Sequence, residues 1–81
     1  STPLNQHSLI TLELWLEQLG AKKSINNPSL WNLETTKWVA ELTLDREELC
    51  VIWNYDSSSN KRCFSYRLSR EDVEAAISEG P

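Results

Sequence analysis

The stretch "WVAELTLDREELCVIWNY", Trp38 to Tyr55, constrains the fold more than any other part of the chain. Every second residue is apolar on either side of "DREE": Trp38, Ala40, Leu42 and Leu44, then Leu49, Val51, Trp53 and Tyr55. A period of two is the signature of a strand with one face buried. A turn at Arg46/Glu47 folds the two runs into an antiparallel hairpin. It pairs Leu44 with Leu49, Leu42 with Val51, Ala40 with Trp53 and Trp38 with Tyr55. A large residue then meets a small one at Ala40/Trp53. The interleaved residues, Val39, Glu41, Thr43, Cys50, Ile52 and Asn54, form a second face that is neither clearly polar nor clearly apolar.

Two further strands are predicted, Leu30–Glu34 before the hairpin and Arg62–Leu68 after it, with the hairpin strands at Lys37–Leu44 and Leu49–Tyr55. The connections "ETTK", "DREE" and "DSSSNK" are short and polar, so consecutive strands pair antiparallel. A pivot within Ser57–Ser59 sets Phe64 beside Trp53, Tyr66 beside Val51 and Leu68 beside Leu49. All four strands then share one apolar face, completed by Trp31 and Leu33.

A helix is predicted at each end. In "HSLITLELWLEQLG", Ser8 is a good N-cap and Gly20 a good C′ residue. At 100° per residue, Leu9, Leu12, Trp15, Leu16 and Leu19 fall in one stripe about 120° wide. Ile10 and Leu14 lie nearly opposite it. Either the N-terminal arm (Pro3, Leu4) or Ile25 folds over them, or they meet a partner. In "SREDVEAAISEGP", Ser69 caps a helix whose stripe is Val73, Ala76 and Ile77, with Leu68 and Val73 as a hydrophobic staple.

The fold class is therefore α+β: a four-stranded antiparallel meander sheet with two helices packed on one face, in the order α-β-β-β-β-α. At 81 residues this is a single domain, 1–81, with residues 1–6 as an extended arm. The second sheet face then looks outward, with Val39, Ile52, Cys50 and Cys63 as an apolar centre and a polar rim that includes Glu41 and Arg67.

Chemistry is scarce. The only His, His7, has no Cys, Asp or Glu at ligand spacing, so no metal site is expected. A Cys–His nucleophile would need His7 to reach Cys50 or Cys63 on the far face. The acidic pairs Glu47/Glu48 and Glu71/Asp72 fall in a turn and a helix start, where carboxylates stay solvated. The two glycines, Gly20 and Gly80, form no phosphate loop. No cofactor and no enzymatic activity are expected.

The net charge is −4, against a basic nucleic-acid footprint and against charge-driven docking on an anionic membrane. The helix–strands–helix order resembles a double-stranded-RNA-binding domain. The last helix, however, opens with Arg70, Glu71, Asp72 and Glu74, three acids to one base. No apolar run reaches transmembrane length, and "STPLNQHS" has no secretory pattern. The predicted register sets Cys50 and Cys63 about four residues, roughly 13 Å, out of step, too far for a disulfide. Free thiols in a reducing compartment follow. A redox pair would require a shifted hairpin.

The segments "TPLNQHSL", "LELWLEQLG", "WNLETTKWVAELTLD", "LCVIW" and "YRLSREDVEAAISEGP" together resemble a small uncharacterised family of cyanobacteria and plastids, a domain of unknown function whose members end in L-S-R-x-D-V-E-x-A-I-x-x-G-P. The arm departs from the pattern: Asn5-Gln6-His7-Ser8 lacks the aromatic before Asn5 and the Pro after His7. The family carries no activity to transfer. The resemblance implies a photosynthetic lineage, a cytosolic or stromal location, and an assembly or accessory role. The function expected is a protein-interaction module that binds through Val39, Glu41, Ile52 and Arg67 on the open sheet face and through Ile10 and Leu14 on the first helix. Three alternatives stand beside it. One is a homodimer through Ile10 and Leu14, another an RNA- or ribosome-associated protein, and the third a redox adaptor using Cys50 and Cys63.

Overall fold

The computed structural model describes residues 8–80. Helix α1 spans Leu9–Leu19 and is followed by five strands: β1 Lys22–Lys23, β2 Leu30–Glu34, β3 Val39–Leu44, β4 Glu48–Tyr55 and β5 Ser58–Ser65. Helix α2, Arg70–Glu79, closes the chain. The strands form one antiparallel meander in sequence order. The sheet therefore has five strands where the sequence pattern gives four. The extra one is a two-residue piece of "AKKS", too short to show any alternation, which pairs Lys22 with Asn32 and Lys23 with Trp31.

The β3–β4 register is the one the alternation predicts: Ala40 faces Trp53, Leu42 faces Val51, and Leu44 faces Leu49. One core gathers the inward residues of the sheet (Trp31, Leu33, Ala40, Leu42, Leu49, Val51, Trp53, Phe64), with Trp38, and the buried sides of both helices (Leu12, Trp15, Leu16, Val73, Ile77). Both helices thus cover the same sheet face. Their mutual placement is fixed by a long-range bond, the Trp15 indole N–H donating to Glu74 Oε1 at 2.8 Å. Lys23 of β1 ties to Glu13 of α1 at 2.8 Å. That contact sets α1 toward the β1 edge.

The last hairpin differs from the expected one. Its turn is Asp56-Ser57, with Tyr55 paired to Ser58. Asp56 adopts φ 51°, a left-handed conformation that Asp tolerates better than most residues. Leu49 consequently faces Phe64, and Trp53 faces Asn60. The register is four residues away from the predicted one. An even slip keeps every side chain on its face, so Phe64 is inward in both, and agreement of faces cannot detect the error. Tyr66 and Leu68 fall beyond the strand. Tyr66 still packs on the core edge, whereas Leu68 is exposed and makes a poor staple.

The helix ends follow their sequence signals. Ser8 Oγ accepts from the Thr11 amide and Ser69 Oγ from the Asp72 amide, each at 3.2 Å. Gly20 sits at φ 101°, and the Ala21 amide donates back to the Leu16 carbonyl, a Schellman closure. Leu9, expected in the core stripe, is exposed at the first turn, where α1 has not yet reached the sheet.

The two glycines make a checkable pair. Both have positive φ, but a Cβ on Gly20 would meet only Leu33 Cδ1 at an ordinary 3.6 Å, whereas one on Gly80 would fall 2.6 Å from the Trp38 indole nitrogen. We expect Gly20→Ala to lose about 1–2 kcal/mol, the left-handed backbone penalty. Gly80→Ala should lose more, because the Trp38 ring must also move. Urea unfolding followed by tryptophan fluorescence measures both. Equal losses would show that the Trp38 contact contributes nothing.

Candidate functional site

The outward face of the sheet is laid out by the register. One cross-strand row reads Lys22, Asn32, Glu41, Ile52, Lys61 from β1 to β5. The next reads Leu30, Thr43, Cys50, Cys63. Another reads Glu34, Val39, Asn54, Ser59. Val39, Glu41 and Ile52 are therefore neighbours, as expected. Arg67 is not among them. It lies past the end of β5, and the cation next to Ile52 in its row is Lys61. Sequence reasoning missed Lys61 because the assumed β5 began at Arg62.

Cys50 and Cys63 are direct cross-strand partners, Cα–Cα 4.0 Å, and they form a disulfide. The expectation of two separated free thiols is overturned, and its cause is the four-residue register error. The carboxylate of Glu48 lies close by, with its oxygen and both sulfurs mutually within 4.8 Å. These three are the donor set among the described residues that could hold a metal. A metal needs thiolates, and the bonded sulfurs supply none, so the oxidised pair is a covalent staple and not a ligand set. His7 lies outside the described residues.

The outer side of α1 is the second candidate surface. Leu9, Ile10 and Leu14 are 62%, 70% and 53% exposed. Ile25 does not cover them, being itself fully exposed at 101%. Pro3 and Leu4 of the arm lie outside the described residues. Ile10, Leu14 and Glu17 share one side of the helix. On the open sheet face, by contrast, Val39 is 41% exposed and Ile52 is half-buried. Of the two surfaces, α1 shows the more apolar area.

Arg67 instead lines an open cleft where the β3–β4 turn meets the segment after β5. The cleft is formed by Asp45, Arg46, Glu47, Glu48, Ser65, Tyr66 and Arg67. The Tyr66 hydroxyl donates to the Asp45 carbonyl at 2.5 Å, and the Tyr66 amide donates to the Glu47 carbonyl at 3.1 Å. Burial, with help from the charges of Asp45 and Glu48, pushes the Tyr66 phenol up to about 12. Its walls mix both signs of charge, and the Tyr66 hydroxyl is already engaged with the backbone. The cleft reads as a joint between two loops.

The geometry defines a class: a small α+β domain with a one-sided core, an outward sheet face and a partly apolar outer helix. Residues 19–80 match the family described as Protein of unknown function (DUF3143), and the chain belongs to that family. The match includes the closing "LSREDVEAAISEG" and leaves out the arm and most of α1. No curated protein and no solved structure matches the chain significantly. Among the described residues, no helix is long and apolar enough to cross a membrane.

Two measurements follow. The disulfide closes a loop with a sequence separation of 13. In the chain-entropy account its loss should lower stability by about 2–3 kcal/mol. Urea unfolding with and without reductant, and of Cys50→Ser/Cys63→Ser, should agree. Alkylation of two thiols in the native, unreduced protein would show that the bond is absent in solution. For Tyr66, the raised folded-state value means that its contribution is whole below the unfolded value of 10.0 and is lost as pH rises toward about 12. The melting temperature should fall across that window, and the fall should be smaller in Tyr66→Phe. At neutral pH that variant should be about 1 kcal/mol less stable, having lost the bond to Asp45. Identical alkaline profiles would remove Tyr66 from the account.

Proposed function

We propose that this chain is a protein-interaction module whose first contact surface is the outer side of α1. The observation that carries the reading is the exposure of Leu9, Ile10 and Leu14, with no described side chain folded over them. Ile10 and Leu14 stand side by side on the outer side, with Leu9 exposed around the first turn, and such aliphatic side chains are a cost in water unless a partner removes them from it. Val39 and Ile52, with Glu41 and Lys61 beside them, form a smaller secondary patch. There the apolar pair would be desolvated while the charges set orientation. Arg67 leaves this patch.

Charge favours a different protein over a second copy as the partner. Helix α1 carries Glu13 and Glu17 and no base. Glu13 is paired with Lys23, but Glu17 stands beside Ile10 and Leu14, where two copies pressed together would bring like charges close, and the chain as a whole is at −4. RNA is disfavoured by the same net charge and by Glu71 and Asp72 in the first turn of α2. The family resemblance suggests a setting, the cytosol or stroma of photosynthetic cells, and an accessory or assembly role there. No reaction is assigned.

The test is a nuclease-treated pull-down of the tagged protein from its own cells, beside Ile10→Asp, Leu14→Asp and Ile52→Asp, each first shown to fold. We expect one partner to be retained by wild type and by Ile52→Asp, and lost by at least tenfold from both α1 variants. Retention by both α1 variants would exclude this surface. A sizing column run across a concentration series should show a monomer; a dimer abolished by Ile10→Asp would replace the proposal with self-association.

A further inference from the structure

Strand β5 ends the sheet, and no described strand pairs with its outer side. Folded proteins keep such edges short, interrupt them with Pro or a bulge, set charged side chains on them, or cover them, because their free amides and carbonyls recruit other strands. The opposite edge obeys this rule: β1 has two residues. Strand β5 does not. It has eight residues, contains no Pro, and pairs with β4 in an unbroken ladder from Ser58 to Ser65. At about 3.4 Å per residue, that is an edge on the order of 27 Å long.

The charge is segregated in sequence: β5 itself holds Lys61 and Arg62 and no acid, and Arg67 and Arg70 follow beyond its end. Between Ser57 and Arg70 the chain carries Lys61, Arg62, Arg67 and Arg70, four of its eight basic residues, and none of its twelve acids. This is the one strongly basic stretch in a chain of net charge −4. Lys61 and Arg62 sit in the middle of β5 on opposite faces. Lys61 stands in the outward row with Ile52, while Arg62 pairs with Val51 on the helix side. The Arg62 guanidinium rests 4.9 Å from the centre of the Phe64 ring, which holds it along the edge.

We propose that β5 is the docking edge for an acidic, extended segment of a partner protein, which joins the sheet as a sixth strand. Backbone pairing supplies the affinity and side chains on alternate faces supply the selection. Two adjacent carboxylates on the incoming strand point to opposite faces, so one meets Lys61 and the other Arg62. A second copy of β5 is a poor occupant, because it would bring Lys61 and Arg62 against their own kind. A nucleic acid could use the charges but not the alternating amides and carbonyls. The proposal rests on the interaction reading and names the chemistry of the partner. Its surface is separate from α1, which is anchored toward the β1 edge.

The experiment is an NMR titration of the labelled protein with the blocked peptide Thr-Val-Glu-Glu-Val-Thr. Three controls accompany it: the same peptide with Lys-Lys at the centre, one with alternate backbone amides methylated, and a ten-nucleotide uridine RNA. Expected are shifts confined to β4 and β5, slower exchange of β5 amides, and binding at least tenfold weaker for the lysine peptide and the methylated peptide. Lys61→Glu/Arg62→Glu, both exposed and spectroscopically checked for fold, should prefer the lysine peptide. No shift at millimolar peptide overturns the proposal. So does equal binding of the methylated peptide, which would mean charge without strand pairing, or tighter binding of the RNA at the same amides. Shifts at Ile10 and Leu14 alone overturn the edge and leave the α1 surface standing. Loss of the α1 surface in the pull-down, with the β5 shifts intact, does the reverse.

Discussion

Everything in this fold depends on the β3–β4 ladder, and on one pair within it. Ala40 faces Trp53, and both are buried. The indole needs the space that a methyl side chain leaves on the neighbouring strand. Sliding β4 by two residues would set Trp53 against Leu42 with Ala40 opposite Tyr55, or Trp53 against Trp38 with Ala40 opposite Val51, and either way two large side chains would collide across the strands. Cores resist such overlap by a few kcal/mol. With this pair fixed, β2 adds its own inward residues Trp31 and Leu33, and the helices close over them. The four tryptophans repay their polarity. Among the described residues no acceptor reaches the buried indole N–H of Trp31 or Trp53, an omission worth roughly 1–3 kcal/mol each. Burying an indole removes about 200 Å² from water, roughly 5 kcal/mol at 25 cal/mol per Å². Area wins.

Where alternation was strong, the structure was legible in the sequence. The β2 bounds, the β3–β4 register, both N-caps and the inward face could be read from Trp31 to Trp53, Ser8 and Ser69. The last hairpin could not. Ser58, Ser59, Asn60 and Lys61 are polar on both faces and poor strand formers, so nothing apolar marks where β5 begins. The turn signal was spread over Asp56–Asn60, and Asp56 was the residue able to take a positive φ. Parity misled further, because a slip of four leaves Phe64 inward and Cys63 outward. One misplaced turn thus hid three features together: the disulfide, the place of Lys61 in the outward row, and the exclusion of Arg67 from it. The signal that could have recovered them was chemical. Two cysteines on the same face of adjacent strands are most economically explained by the register that joins them.

Polarity in β5 has a second meaning. A strand with little apolar content contributes little to the core, and here only Phe64 is buried. Its place in the sheet is held by backbone bonds and by the Cys50–Cys63 staple next to its C-terminal end. That arrangement frees six of its eight side chains from packing duty and leaves its sequence open to other selection. The side chains that occupy it are serine, asparagine and two cations.

The two leftover surfaces differ in kind, and the difference follows from how the core is built. A one-sided sheet of five strands needs cover on one face only. Two helices provide it, and each must then turn a side to water. Helix α2 does so at no cost, with a polar outer side that includes Glu71, Asp72 and Ser78, all exposed. Helix α1 does not, since Ile10 and Leu14 add nothing to the core that Leu12, Trp15 and Leu16 already fill. Nothing among the described residues packs on that side to give aliphatic residues a folding role, whereas glutamate at Glu17 beside them suits a side turned to water. On β5 neither Lys61 nor Arg62 takes part in an ion pair among the described residues, which leaves their charge open to a partner while they guard the edge. Toward one edge stands a helix with an exposed aliphatic side, and at the other a strand whose charged residues are all basic. The two proposed contacts therefore ask different chemistry of a partner: aliphatic side chains at α1, carboxylates on an extended strand at β5.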